Sequence, residues 1–499
     1  MHQHKKVSLL SATAISATAM VGSGWLFSAQ LNARLAGNYA FLAWFLAALL
    51  VMAVGLCLAQ VVSIYPVRGA TTRSSSLSHN AIFGMPFAFA NWFGLMISVT
   101  TEAQATTEYL SAYLKNNILM DNAGLTFYGK LFALGILFLY LVVNFYGIGL
   151  LARVNNIVTA LKIFTPLFAI TLFLITRFDK SNFTLLNHHL YHAGSALSAV
   201  VGAGLIYSYN GFQLAASFAS EVKNPKRNVP LSMIISVLLV MLLYMALQLS
   251  FMGAVPHHLL TAGWAALNFH SPLMNLAMLL GLNFLVLLLT ADSIVSPSGT
   301  GYAYLGASAR MFYAMAAEGQ MPKWTIAKLN PLYNICRRSL LINWVLVALV
   351  LWNSQSWATL MLIVTGYYIL GYMAAPISMG AMKPKLRFFG ASVFIPLTLI
   401  MVTIPKHDLL MVNFSLLLLM SIYGMIQFTK KIPLKTLLIL TAPFMTYLWL
   451  IYLSQQTLYV VTISLFFYLL VTEPRYVEFC KATALQKESL EEEGDLRTE

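Results

Sequence analysis

The chain has 499 residues, of which 59% are hydrophobic and only 9% charged, with a mean hydropathy of +0.75. Soluble domains carry about a quarter charged residues, so this composition excludes a soluble globular protein and defines an integral membrane protein. The formal net charge of +14 raises nucleic acid as a partner, and the distribution of that charge decides the matter.

Hydrophobic stretches of at least about 17 residues, enough to cross a core of roughly 30 Å as a helix, recur from end to end. Fourteen spans are expected, at 7–30, 39–62, 85–115, 126–146, 153–176, 195–220, 231–253, 272–308, 338–353, 357–382, 388–404, 409–428, 433–453 and 456–473. The first is too long for the apolar core of a signal peptide and lacks a small-residue cleavage pattern, so it reads as a retained anchor. It is interrupted by Gly22-Ser23-Gly24, and the sixth by Tyr209-Asn210-Gly211. Backbone freed from its i to i−4 bonds is intolerable against lipid. It survives where a substrate, an ion or a water-filled cavity satisfies it, so the two breaks predict a binding site.

With the N-terminal residues 1–6 placed in the cytoplasm, 19 Lys and Arg fall in the loops of that side and 6 in those of the other. The positive-inside rule then puts both termini in the cytoplasm of a multi-pass plasma (inner) membrane protein. The basic balance is topological, and nucleic acid is not expected as a partner. Cys57, Cys336 and Cys480 fall in a span, a loop and the tail, which implies no disulfide framework. Residues 474–499 read as an acidic cytoplasmic tail, because six of the sixteen acids lie between Glu488 and Glu499. His188 and His192 have i, i+4 spacing, but with no Cys nearby they read as solvated loop imidazoles, and neither a metal nor a cofactor is expected.

Four ionisable groups lie well inside the spans: Glu102 and Glu108 in the third, Lys162 in the fifth and Asp292 in the eighth. Each costs roughly 2.5–3.5 kcal/mol to place at a helix centre on insertion scales, so each should face a polar interior and a partner. Glu102 and Glu108 lie about 240° apart around a helix. They cannot share a face, so Glu102 is expected inside and Glu108 at an interface. Asp292 precedes Pro297, whose missing N–H frees a carbonyl one turn back, and the hydroxyls of Ser296, Ser298 and Thr300 surround that kink.

Three segments carry a resemblance. Tyr207-Ser208-Tyr209-Asn210-Gly211-Phe212, followed by Glu221-Val222-Lys223-Asn224-Pro225-Lys226-Arg227-Asn228-Val229-Pro230, resembles the sixth-helix break and following loop of the amino acid-polyamine-organocation permeases. Gly22-Ser23-Gly24-Trp25-Leu26-Phe27 is similar to their first-helix break. The third match runs from Ser296 to Thr300, through Arg310 to Ala316, and on to Gly319-Gln320-Met321-Pro322. The pattern looks most like the bacterial branch that includes aspartate–proton symport.

The resemblance implies an all-α, LeuT-like core of ten helices over 7–382, in two inverted repeats at about 7–176 and 195–382, with four accessory helices over 383–473. It implies secondary active transport of an amino acid by alternating access. Half-helix N-termini offer amides and partial positive charge to an α-carboxylate, and carbonyls before the breaks suit an α-ammonium. Val21, Gly22, Ser23, Gly24, Tyr207, Ser208, Tyr209, Asn210 and Gly211 are the implied substrate-binding residues, and Tyr207 the implied gate. Lys162 matches the fifth-helix lysine that replaces sodium in proton-linked members, with Glu102 and Asp292 as further proton-coupling groups and Asp292 as its expected partner. The implied partners are an amino acid, protons and the bilayer, and oligomeric state stays open. Gln213 stands where arginine and agmatine exchangers carry glutamate. Exchange or polyamine transport is the alternative within the class. A proton-pumping antiporter-like subunit would interrupt a middle and a late helix instead, and an enzyme would need a reactive cluster that the sequence does not show.

Overall fold

The computed structural model describes residues 6–66, 70–114, 118–121, 124–145, 148–184, 191–217, 219–317, 320–321, 336–429, 432–454 and 456–483. Apart from one two-residue strand pair, Met120–Asp121 against Gly124–Leu125, its regular structure is helical. The expected tail beyond residue 483, residues 1–5, His188 and Pro322 lie outside the described residues.

The first expected span is two helices, α1 (Leu9–Met20) and α2 (Gly24–Ala36), and α3 (Ala40–Ile64) follows. A short α4 (Ala70–Ser78) precedes α5 (Ala81–Tyr113), which Asn80 caps by accepting from the Phe83 N–H. Next come α6 (Phe127–Phe145) and α7 (Ile148–Thr176). The sixth expected span is broken into α8 (Ala193–Gly202), α9 (Leu205–Ser208) and α10 (Leu214–Ser217). His192 caps α8, its Nδ1 accepting from the Ser195 N–H at 3.1 Å, a structural task that the loop reading of that imidazole did not foresee. Then follow α11 (Pro225–Ala254), α12 (Pro272–Leu279) and α13 (Asn283–Ala317). The single span expected at 272–308 is thus divided, because the chain turns at Gly281 with φ of +70°. Helix α13 continues through Pro297.

The remaining helices are α14 (Arg337–Asn353), α15 (Trp357–Met382), α16 (Arg387–Met401), α17 (Lys406–Thr429), α18 (Leu434–Leu453) and α19 (Thr457–Val471). After a 54° bend, Pro474–Thr483 forms a further helix, α20, in a stretch assigned from sequence to the tail. Among the described residues, ten helical segments are long and apolar enough to cross a membrane, or eleven with the bent pair. The expected first and sixth spans fall short because they are broken, and the ninth because α14 has 17 residues.

Large apolar side chains such as Phe388, Ile175, Leu458 and Phe466 stay exposed on the outside, the surface a bilayer would cover. Helices α5 and α15 are the most enclosed and pack together, and α13 also packs on α5. The C-terminal helices fasten onto the α4–α5 corner. His79 Nε2 donates to the Val471 carbonyl at 2.8 Å, and Asn80 Nδ2 to the Cys480 carbonyl at 2.7 Å. The three cysteines are buried and unbridged.

Candidate functional site

The two breaks meet each other. A Cβ on Gly24 would lie 2.5 Å from Ser208 Oγ, and one on Gly211 2.8 Å from the Ala19 Cβ. Glycine is required at both places by close approach, and Gly211 also holds φ of +113°. Ser208 Oγ reaches Ser28 Oγ at 2.9 Å, tying α9 to α2. The carbonyls freed at the ends of α1 and α9, those of Met20 and Ser208, both accept from the Tyr244 hydroxyl of α11, at 2.8 and 3.2 Å. These are among the carbonyls expected to receive an ammonium.

Glu102 comes to the first break from α5 and is buried. Its Oε2 accepts from the Ser23 N–H at 3.0 Å and its Oε1 from the Tyr207 hydroxyl at 2.8 Å. Tyr207 also lies 2.6 Å from Thr101 Oγ1 and 3.1 Å from Ser23 Oγ. Trp357, first residue of α15, donates from Nε1 to Ser23 Oγ at 3.0 Å, stacks on Phe27 at 4.4 Å and meets the Tyr207 ring edge-on at 5.7 Å. Ser23, Tyr207 and Trp357 therefore close one side of the break as a single bonded group.

Glu108 corrects the expectation of an interfacial carboxylate. It is buried, accepting from Gln104 Nε2 at 2.9 Å and from the Trp357 N–H at 2.6 Å, so it caps α15. Helix α5 is enclosed around most of its circumference, so a carboxylate about 240° from Glu102 is buried as well and not at an interface.

Lys162 Nζ donates to Thr300 Oγ1 at 2.6 Å and reaches the Thr18 carbonyl of α1 at 3.5 Å. The partnership with Asp292 expected from sequence is absent as a direct contact: the ion pairs among the described residues within 4.0 Å are Arg177–Asp179, Arg387–Glu473 and His407–Asp408. Asp292 is wholly buried, accepts from Thr165 Oγ1 at 3.4 Å through Oδ1, and leaves Oδ2 without a hydrogen-bond partner. Thr165, the donor to Asp292, stands about one turn along α7 from Lys162.

The other expected site residues divide. Val21 and Gly22 lie in the first break, and a Cβ on Gly22 would lie 3.0 Å from Glu102 Oε1. Asn210 donates to the Tyr304 hydroxyl and accepts from Tyr372, both at 3.1 Å, and from Gln213 at 2.9 Å. Tyr209 points away, its ring buried against Trp44 and Tyr244. A cavity of about 480 Å³ runs from Asn210 and Gly211 past Tyr304 and Tyr368 to the exposed Arg73 and Arg310. Among the described residues no group of three or more His, Cys, Asp or Glu suits a metal ion. Tyr244 and Trp357 were not singled out from sequence, since a lone phenol or indole in an apolar run carries no glycine or charge to mark it, and Thr300 was named for the Pro297 kink and not as the acceptor of Lys162.

A helical, multi-span chain whose two broken helices face each other beside buried ionisable side chains belongs to the class of membrane transporters. The amino acid permease family matches residues 7–472, nearly the whole chain, and the protein belongs to that family. It is similar to the glutamate/serine transporter AimA of Bacillus subtilis, 30% identical over 408 residues, covering 79% of this chain and 75% of that one. It is also similar to the aspartate-proton symporter of the same organism, 28% identical over 381 residues, covering 76% and 73%. A third relative is that organism's methylthioribose transporter, 23% identical over 338 residues, covering 66% and 70%. These three relatives are transporters and not enzymes.

Proposed function

We propose that the protein is a proton-coupled amino acid symporter of the plasma membrane that works by alternating access. The observation that carries this reading is the meeting of the two breaks, Gly24 against Ser208 and Gly211 against Ala19. Such a meeting brings half-helix amides and carbonyls to one point, where the two ends of a zwitterion find opposite partial charges. Ser23 and Gly24 then take the α-carboxylate, with Val21, Gly22, Tyr207, Ser208, Asn210 and Gly211 around the substrate. Lys162, Glu102 and Asp292 carry the proton coupling, and Tyr207 with Trp357 forms the outer gate.

In this reading the core is 7–382, in two inverted repeats within fourteen spans, with 383–473 accessory and both termini cytoplasmic. The cavity between Asn210 and Arg310 is then the inner vestibule, and the conformation faces inward. Small neutral and acidic L-amino acids head the substrate list, since two relatives are named for glutamate, serine and aspartate. Uptake into proteoliposomes of an L-amino acid panel, with and without an imposed proton gradient and in sodium-free buffer, tests the proposal. Gradient-driven accumulation without sodium is expected. A strict requirement for sodium, or for a counter-substrate inside, overturns symport with protons.

A further inference from the structure

The amide that should receive a substrate carboxylate already holds one. Glu102 Oε2 sits 3.0 Å from the Ser23 N–H, at the first turn of α2, where partial positive charge favours an anion. Two carboxylates cannot share that donor, because like charges a few ångströms apart in a buried site repel strongly. While Glu102 is ionised it must leave for the other to bind.

The structure also offers the leaving group a destination. Gly22 has no side chain, and the space where its Cβ would stand borders Glu102 Oε1 at 3.0 Å and Thr300 Oγ1 at 3.5 Å. Thr300 Oγ1 in turn is 2.6 Å from the ammonium of Lys162. A carboxylate that turns away from Ser23 through this gap meets a hydroxyl and then a cation. The same movement takes it from the Tyr207 hydroxyl, which is part of the group closing the other side of the break.

We propose that Glu102 is a built-in competitor for the substrate α-carboxylate, holding the Ser23 amide in turn with the substrate and yielding it by swinging past Gly22 onto Thr300 and Lys162. The inference rests on the reading of Ser23 as the carboxylate site. It makes substrate occupancy and the partner of Lys162 one event, so that the lysine senses the substrate without touching it. It also gives Gly22 a reason to be glycine that differs from that of Gly24, which is held by contact with α9.

The test uses the full chain in detergent micelles, with L-serine, L-glutamate and their α-amides as probes and dissociation constants from calorimetric titration. Wild type is expected to bind the acids and not the α-amides. Equal binding of acid and α-amide removes the carboxylate pole from Ser23, and with it both readings. Glu102→Ala, which vacates the donor, should bind the acids roughly tenfold more tightly, the fold-change of one charge-assisted hydrogen bond no longer contested. Glu102→Gln, which keeps an acceptor of the same shape without the charge, should lie between. Gly22→Ala should weaken binding by a clearly larger factor in the wild-type background than in the Glu102→Ala background, a non-additivity that marks one shared movement. If Glu102→Ala and Glu102→Gln both bind the acids more weakly while the acid–amide contrast persists, Glu102 only props the break open and the competition is overturned.

Discussion

Glu102 and Ser23 are 79 residues apart in sequence, and the carboxylate of one accepts the backbone N–H of the other at 3.0 Å. The second oxygen is held by Tyr207 at 2.8 Å, so a single side chain from α5 bonds to both broken helices. A hydrogen bond to a charged group contributes about 1.5–3 kcal/mol, and leaving its buried partner unpaired costs a similar amount. Tyr207→Phe keeps the ring against Trp357 and deletes only the hydroxyl. It should lower thermal stability by several degrees in scanning fluorimetry and leave the chain folded. An unchanged melting temperature would mean that Thr101 or solvent replaces the lost donor at no cost.

The contact between Gly24 and Ser208 leads to a second prediction. A Cβ at Gly24 would lie 2.5 Å from Ser208 Oγ and 3.2 Å from its Cα, so even alanine forces the two half-helices apart. Overpacking of this kind costs roughly 1–3 kcal/mol. Gly24→Ala should weaken amino acid binding about tenfold or more, and Gly24→Leu should abolish it. Adding Ser208→Ala to Gly24→Ala removes the nearer clash and should recover part of the loss. Full affinity in Gly24→Ala would show that the breaks separate freely.

Both breaks were legible in the sequence because Gly22, Gly24 and Gly211 have no place inside an apolar helix unless backbone must approach or bend there. Their pairing was not legible: nothing along the chain says that Gly24 faces Ser208, since periodicity reports a face and never its partner. Lys162 was visible as a charge in an apolar run, but its acceptor, Thr300, looks like any hydroxyl near a proline. Glu108 was misplaced for a related reason. A helical wheel assigns one face to lipid, and α5 has none to give, so a residue 240° from Glu102 is buried just as deeply. The turn at Gly281 escaped notice because hydrophobicity continues through it. The family resemblance was legible from three short segments, and the family match over residues 7–472 agrees with it.

The junction of the C-terminal helices with α4 and α5 has a pH dependence of its own. His79 is buried between Ser78 and the Val471 carbonyl, and burial holds its pKa down at about 4 from an ordinary 6.5. The unfolded chain then binds more protons than the folded one between about pH 6.5 and pH 4. Stability is full above that window and falls as the pH drops through it, by an amount on the order of 3 kcal/mol. His79→Gln can still donate to Val471 and does not titrate. Its melting temperature should fall less steeply than that of wild type between pH 6.5 and 4.5. Parallel slopes would place the acid sensitivity elsewhere.

Lys162 joins Thr300 of α13 to the Thr18 carbonyl of α1, so its charge bears on whether the first half-helix stays docked. In the proposed cycle, loss of its proton removes the charge that holds that carbonyl, and regaining it restores the hold. Lys162→Ala should therefore bind substrate but fail to accumulate it against a gradient in proteoliposomes. Lys162→Arg should also fail to cycle, because a guanidinium keeps its proton and its planar fork does not match a single hydroxyl. Asp292 is the contrasting case, a buried carboxylate with one oxygen unpaired. Structures keep such a group at a cost in stability, so Asp292→Asn should melt higher than wild type by a few degrees and lose accumulation if the acid serves the proton. Wild-type accumulation ratios in Lys162→Ala would reduce this lysine to a tie between helices. The same ratios in Asp292→Asn would confine the coupling to Lys162 and Glu102.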